Sequence, residues 1–182
     1  ADIIAKGGNA VDAAVAAAFA LGVCEPDASG MGGGGFMTYR NGETGETIFI
    51  DFREVAPGAA TEDMYPQDEN GKVIGNIMAR GGKAVAVPGE VAGLMYILDN
   101  YGTMSRQEVL QPAIDLANEG YLVTAKTNTT LTDAYQLMVD YPELGKLFLG
   151  EDGLPPEVGS YIKNPDIAKT LGIIAEKGAA GF

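Results

Sequence analysis

The 182-residue chain has no histidine. That removes the usual general base of Ser-His and Cys-His catalysis and the commonest transition-metal ligand. A complete catalytic apparatus would have to rest on carboxylates, lysine or an N-terminal amine, and neither a metal nor a cofactor is expected. There is a single cysteine, Cys24, so no internal disulfide can form. Cations are scarce: 12 Lys and Arg stand against 25 Asp and Glu, a formal net charge of -13. The basic footprint that a phosphate backbone requires is missing, so nucleic acid is not an expected partner. Long apolar runs are missing too. The most apolar stretch, 10–23, carries Asp12 and is too short and too polar to span a bilayer. It also lacks the basic flank of a signal peptide. The chain opens at Ala1 without an initiator methionine, which reads as a processed or truncated product.

What is present suits one domain with a genuine core, 46% hydrophobic and 20% charged. Asn9 and Asp12 stand at capping-box spacing before an apolar run over 10–21, and Gly22 is the expected stop. Apolar residues surround nearly the whole circumference of that helix, the pattern of one buried between layers. Segments 36–39 and 47–52 are rich in β-branched and aromatic residues and predict a hairpin turning near Asn41. The stretch 57–82 is dominated by Asp, Asn, Gly and Pro and reads as a long irregular connection. The second half is helical. Val91, Leu94, Met95 and Leu98 recur at helical spacing up to Gly102. Ser105 and Glu108 cap a helix over 109–118 that Pro112 interrupts. A third helix is expected over 131–138, and a fourth from Asn164 and Pro165 to Gly178. One hairpin is too little sheet for these helices to cover, which implies that part of the fold lies outside the chain.

Gly30-Met31-Gly32-Gly33-Gly34-Gly35 satisfies G-x-G-x-x-G, but a dinucleotide fingerprint needs strand, glycines, then helix. The order here is helix, glycines, strand, so the run is read as close backbone packing. Lys72, Lys83 and Lys146 follow glycines without the spacing of a phosphate loop. Asp68-Glu69-Asn70-Gly71 reads as a turn, since Pro66 occupies the first ligand position a calcium loop would need. An internal Thr129-Thr130 has no free α-amine to serve as its base. Glu25, Asp51, Glu54 and Glu90 are candidate carboxylates near glycine-rich turns, but spacing pairs none of them for acid and base roles.

Arg53, one of only four arginines, follows the second apolar strand directly. A planar, permanently charged fork at the end of a rigid element suits two-pronged capture of a carboxylate. Asp51 lies two residues earlier on the same strand face, so an internal ion pair is equally available. Spacing alone leans towards that pair.

Taken together, Gly7-Gly8-Asn9-Ala10-Val11-Asp12-Ala13-Ala14, Glu25-Pro26, Ser29-Gly30-Met31-Gly32-Gly33-Gly34-Gly35-Phe36 and Asp51-Phe52-Arg53-Glu54-Val55-Ala56-Pro57 resemble the large subunit of γ-glutamyltranspeptidases. Ala84-Val85-Ala86-Val87-Pro88-Gly89-Glu90-Val91-Ala92-Gly93, Tyr101-Gly102, Pro112-Ala113-Ile114-Asp115-Leu116-Ala117 and Glu119-Gly120 continue the resemblance in order. It implies an α+β chain, a fragment of the four-layer αββα sandwich of N-terminal-nucleophile hydrolases, with residues 1–182 forming part of the large-subunit region. In that family a precursor cleaves itself, and the new N-terminal threonine of the small subunit attacks a γ-glutamyl amide with its own amine as base. By the resemblance, Arg53 binds the α-carboxylate of the glutamyl group; Asp51, on the same strand face, then reads as the orienter of its guanidinium, and Glu54 as a neighbouring carboxylate with either a supporting or a structural role. The resemblance assigns catalysis to no residue of this chain. It also implies a γ-glutamyl substrate, a small subunit from the same precursor as partner, and a periplasmic or secreted location. Asp27-Ala28 departs from the basic or polar pair common after Glu-Pro in the family. Cephalosporin acylase, poly-γ-glutamate depolymerase and a non-catalytic binding module are the competing readings. The chain alone is expected to be inactive and to self-associate through exposed apolar surface.

Overall fold

The computed structural model describes residues 1–75 and 77–182. In chain order the elements are α1 (Asp2–Ala5), α2 (Ala10–Cys24), β1 (Phe36–Arg40), β2 (Thr47–Asp51), α3 (Glu90–Tyr101), α4 (Arg106–Glu119), β3 (Tyr121–Leu122), α5 (Ala125–Asp133), α6 (Tyr135–Asp140), α7 (Pro142–Phe148), β4 (Tyr161–Ile162) and α8 (Pro165–Lys177). Two compact units emerge: Ala1–Gly30 with Leu94–Phe182, and Met31–Gly93.

The first unit is helical. α4 packs against both α2 and α8. Val109, Leu110, Ala113 and Ala117 of α4 are fully buried, as are Val11, Val15 and Phe19 of α2 and Leu171 and Ile174 of α8. Each of these helices opens on a side-chain cap. The Asn9 carboxamide oxygen accepts the N–H groups of Val11 and Asp12, and the Asp12 carboxylate accepts the Asn9 N–H. The box of Ser105 and Glu108 forms as expected. Asn164 caps α8, with Pro165 in its first turn.

Asp12 does more than cap. It is completely buried, and its carboxylate also accepts the Thr103 hydroxyl at 2.6 Å and the N–H groups of Thr103 and Met104. Burial alone would raise its pKa, but the Thr103 hydroxyl and the Asn9, Thr103 and Met104 N–H groups together hold it below the ordinary carboxylate value. The Asn9 amide donates to the Tyr101 carbonyl beside it. The start of α2 is thereby tied to the loop between α3 and α4.

Four expectations need correction. α2 does not stop at Gly22 but runs on to Cys24, because Gly22 is a contact and not a terminator: a Cβ there would lie 2.9 Å from the Gly30 Cα. Pro112 does not interrupt α4, which carries it within the helix. The helix expected over 131–138 is two, α5 and α6, meeting at Ala134. And the hairpin is not alone: Tyr121↔Ile162 and Leu122↔Tyr161 form a second, two-residue antiparallel pair.

In the second unit β1 and β2 pair antiparallel from Phe36↔Asp51 to Arg40↔Thr47. The Asn41 side chain accepts the N–H groups of Glu43 and Thr44, which fixes the turn where it was expected. The described residues of 57–82 are irregular apart from one bridge, Gln67↔Val73, and Gly82, which opens a short 3-10 helix (Gly82–Ala84); Asn76 lies outside the described residues. Asp68 closes that bridge as a turn, its carboxylate accepting the N–H groups of Asn70 and Lys72 while Gly71 takes φ 77°. The α+β expectation holds.

Candidate functional site

Strand alternation sorts the residues around Arg53 into two faces. Met37, Tyr39, Ile48 and Ile50 are half-buried on one face, and Phe36, Thr38, Phe49 and Asp51 are exposed on the other. Continuing past β2, Phe52 follows the inner face and Arg53 the outer.

Phe52 is gripped by glycines. A Cβ on Gly34 would lie 2.5 Å from the Phe52 carbonyl oxygen, and one on Gly35 2.9 Å from its ring. A Cβ on Gly89 would collide with the Phe52 carbonyl group, and one on Gly93 with the Phe52 side chain. No side chain fits at these four positions without something moving. The backbone around them is cross-tied: Phe52 N–H donates to the Gly35 carbonyl at 3.0 Å, and the Gly33 carbonyl accepts the N–H groups of Gly89 and Glu90. Val55 and Val87 exchange both backbone hydrogen bonds. The reading of the glycine run as close packing is therefore correct, and what it packs against is the segment that carries Arg53.

Arg53 itself projects outward, its side chain 67% exposed. The guanidinium sits 6.0 Å from the Phe36 ring centroid, within cation–π range, and Phe36 stacks on Phe49 at 5.8 Å. Its charge partner is Glu54, with Nε 3.4 Å from Oε2. Asp51 does something else: its Oδ1 accepts the Arg53 backbone N–H at 2.9 Å. Asp51 fixes the main chain from which the arginine departs, and Glu54 is the carboxylate beside the guanidinium. Sharing of a strand face suggested that Asp51 pairs with the guanidinium itself, because it ignored that a short Asp readily turns back onto the N–H two residues on. The guanidinium makes no hydrogen bond among the described residues, so its N–H fork is available to an incoming carboxylate.

The other candidate carboxylates do not join this group. Glu25 binds Lys126 at 2.6 Å, and Glu90 is buried at the start of α3. Among the described residues no cluster of His, Cys, Asp and Glu could hold a metal ion, and no helix is long and apolar enough to cross a membrane. Sequence reasoning missed Phe52 as the residue the glycines enclose and Phe36 as the ring beside the guanidinium. The i, i+4 spacing of Gly89 and Gly93 was the available signal for a close approach to the first turn of α3.

The comparisons with known proteins converge on one family. The Gamma-glutamyltranspeptidase family model matches residues 1–182. The chain is 41% identical over 182 residues to a glutathione hydrolase proenzyme of Pseudomonas sp. (strain A14), covering all of this chain and 31% of that protein. It is also 41% identical over 185 residues to an Acylase ACY 1 proenzyme of Pseudomonas sp. (strain V22), covering 98% of this chain and 32% of the relative. Among solved structures it superposes on Helicobacter pylori γ-glutamyltranspeptidase with a TM-score of 0.93 at 39% identity, over all of this chain and 51% of the other. The chain thus spans about a third of the length of these curated relatives. Its fold is a fragment of the one that the resemblance implied. These likenesses, which run the full length of the sequence, place the chain in the γ-glutamyltranspeptidase family.

Proposed function

We propose that residues 1–182 are part of the large-subunit region of an enzyme that cleaves γ-glutamyl amides, and that Arg53 binds the α-carboxylate of the γ-glutamyl group. The observation that carries this reading is the outward guanidinium on a segment immobilised by four glycines, with its hydrogen-bond donors unused among the described residues. Glu54 holds the fork in place through a partly exposed contact, which is worth little by itself and is readily traded for a substrate carboxylate. Asp51 fixes the backbone beneath it. The nucleophile is assigned to a small subunit released from the same precursor, so the 182 residues alone are expected to be inactive and to self-associate. The exposed rings of Phe36 and Phe49 supply apolar surface for that association. A periplasmic or secreted location belongs to the same proposal.

A second reading, acylase activity on a different amide, is favoured by the similarity to the ACY 1 proenzyme. Substrates with and without the α-carboxylate separate the two in the full-length, self-processed protein. Arg53→Ala should cost on the order of 2–5 kcal/mol of apparent binding for the carboxylate-bearing substrate, and Arg53→Lys should restore only part of it because the planar fork is lost. Self-cleavage should be little affected. If wild type and Arg53→Ala discriminate the two substrates equally, the assignment of Arg53 fails.

A further inference from the structure

In the helical unit the end of α2, β3 and the helices α5 to α7 surround a cavity of about 200 Å³. Its lining includes the apolar side chains of Leu131, Leu137, Met138, Leu144 and Phe148. It also includes Cys24, Glu25, Asp27, Tyr121 and Lys126. None of these residues belongs to the arginine segment, and nothing in the proposed reaction uses them.

Tyr121 is only 5% exposed, yet its hydroxyl has no hydrogen-bond partner among the described residues. The hydroxyl itself is not sealed from solvent, and Tyr121 lines the cavity, so this polar tip is open to an incoming group. Burial first, then the proximity of Cys24 and Asp27, push this phenol up to about 12, so it stays neutral. Burial and Glu25 likewise raise the Cys24 thiol, which remains protonated. Lys126, with a largely exposed side chain, donates to Glu25 at 2.6 Å, and Asp27 also acts on the same ammonium. Two carboxylates therefore share one cation, leaving a negative charge in excess beside an unused phenol.

We propose that this cavity binds an apolar primary amine, an alkyl or aralkyl ammonium whose chain lies against Leu137, Met138 and Phe148. Its ammonium donates to Asp27 and to the Tyr121 hydroxyl oxygen. An apolar carboxylate of the same size would meet Asp27 and have to displace Glu25 from Lys126. An apolar alcohol would satisfy the phenol but not the excess charge.

Cys24 is a built-in reporter, since a molecule in the cavity shields it from alkylation. The experiment follows iodoacetamide modification of Cys24, by peptide mass spectrometry, in the full-length processed protein with hexylammonium, hexanoate or hexanol present. Hexylammonium should protect at the lowest concentration. Tyr121→Phe, which keeps the ring, should raise its half-protecting concentration about fivefold for one lost hydrogen bond. Asp27→Asn should raise it about tenfold or more, because a charge-assisted bond is lost. Ala134→Trp, which fills the cavity, should abolish protection. If Tyr121→Phe does not fold, Asp27→Asn, at an exposed position, carries the comparison. The proposal is overturned if hexanoate protects as well as hexylammonium, or if protection is unchanged by Asp27→Asn. It is equally overturned if Cys24 of the folded protein is inert both to iodoacetamide and to methylmercury, which also binds a protonated thiol, since that would mean that another part of the full chain fills the space. Each of these results is independent of substrate discrimination by Arg53.

Discussion

In the helical unit Phe19, Leu110, Leu171 and Ile174 are almost completely shielded from water, whereas within Met31–Gly93 the only apolar side chain buried to that degree among the described residues is Val91. The second unit is ordered by the close approach of backbones at positions where side chains are missing. The first depends on groups that are there, the second on groups that are not. Removing buried side-chain atoms should therefore injure chiefly the first unit, whereas adding atoms should injure the second throughout and the first only at close contacts such as Gly22 against Gly30.

The largest effect is expected from Asp12→Ala. It leaves the N–H groups of Asn9, Thr103 and Met104 and the Thr103 hydroxyl without their acceptor. At roughly 1–3 kcal/mol for each buried group left unsatisfied, offset where water enters, the loss should be about 3 kcal/mol or more. Urea unfolding of the full-length protein measures it, and a loss under 1 kcal/mol would show that the contrast between the units is overdrawn.

Next comes Gly89→Ala, where the added methyl meets the Phe52 carbonyl and not a movable side-chain end. Overpacking of this kind costs about 1–3 kcal/mol. Because the obstructed group is the backbone next to Arg53, the variant should also lose discrimination for the α-carboxylate, which Asp12→Ala should not. Gly32→Ala, with open space around the added carbon, is the control and should stay within about 0.5 kcal/mol.

The smallest expected effect is on pH dependence. Asp12 has a folded-state pKa below its unfolded value of about 4, so its ionised form adds stability above that pH. The contribution disappears as pH falls through the folded value. Acid titration followed by circular dichroism should show the wild-type transition below pH 4 lose part of its steepness in Asp12→Asn.

The parts of the molecule legible in the sequence were those governed by neighbours along the chain. Asn9 with Asp12, Ser105 with Glu108, and Asn164 with Ile167 each mark a helix start through bonds spanning three residues, and all three are present, the last with Pro165 in the first turn. The Asn41 turn was readable for the same reason. The Tyr121 and Ile162 pair was not, because two-residue strands have no period and their partners lie forty positions apart in the chain. Gly22 was misread as a stop because its role depends on Gly30, a tertiary neighbour. At the candidate site, composition and resemblance pointed to Arg53. Only the geometry separated the task of Asp51 on the main chain from that of Glu54 beside the guanidinium.

The clasp between Asp12 and Thr103 closes a chain segment of 91 residues, and this has a consequence during synthesis. α2 leaves the ribosome before the backbone groups that complete its buried carboxylate, and before α4 against which it packs. At about 5–20 residues per second the nascent helix waits on the order of 5–20 s with Val11, Val15 and Phe19 uncovered. Over that interval it is a natural target for a holding chaperone, and synonymous codon changes that slow translation across residues 31–100 should lower the yield of folded protein without altering a single side chain.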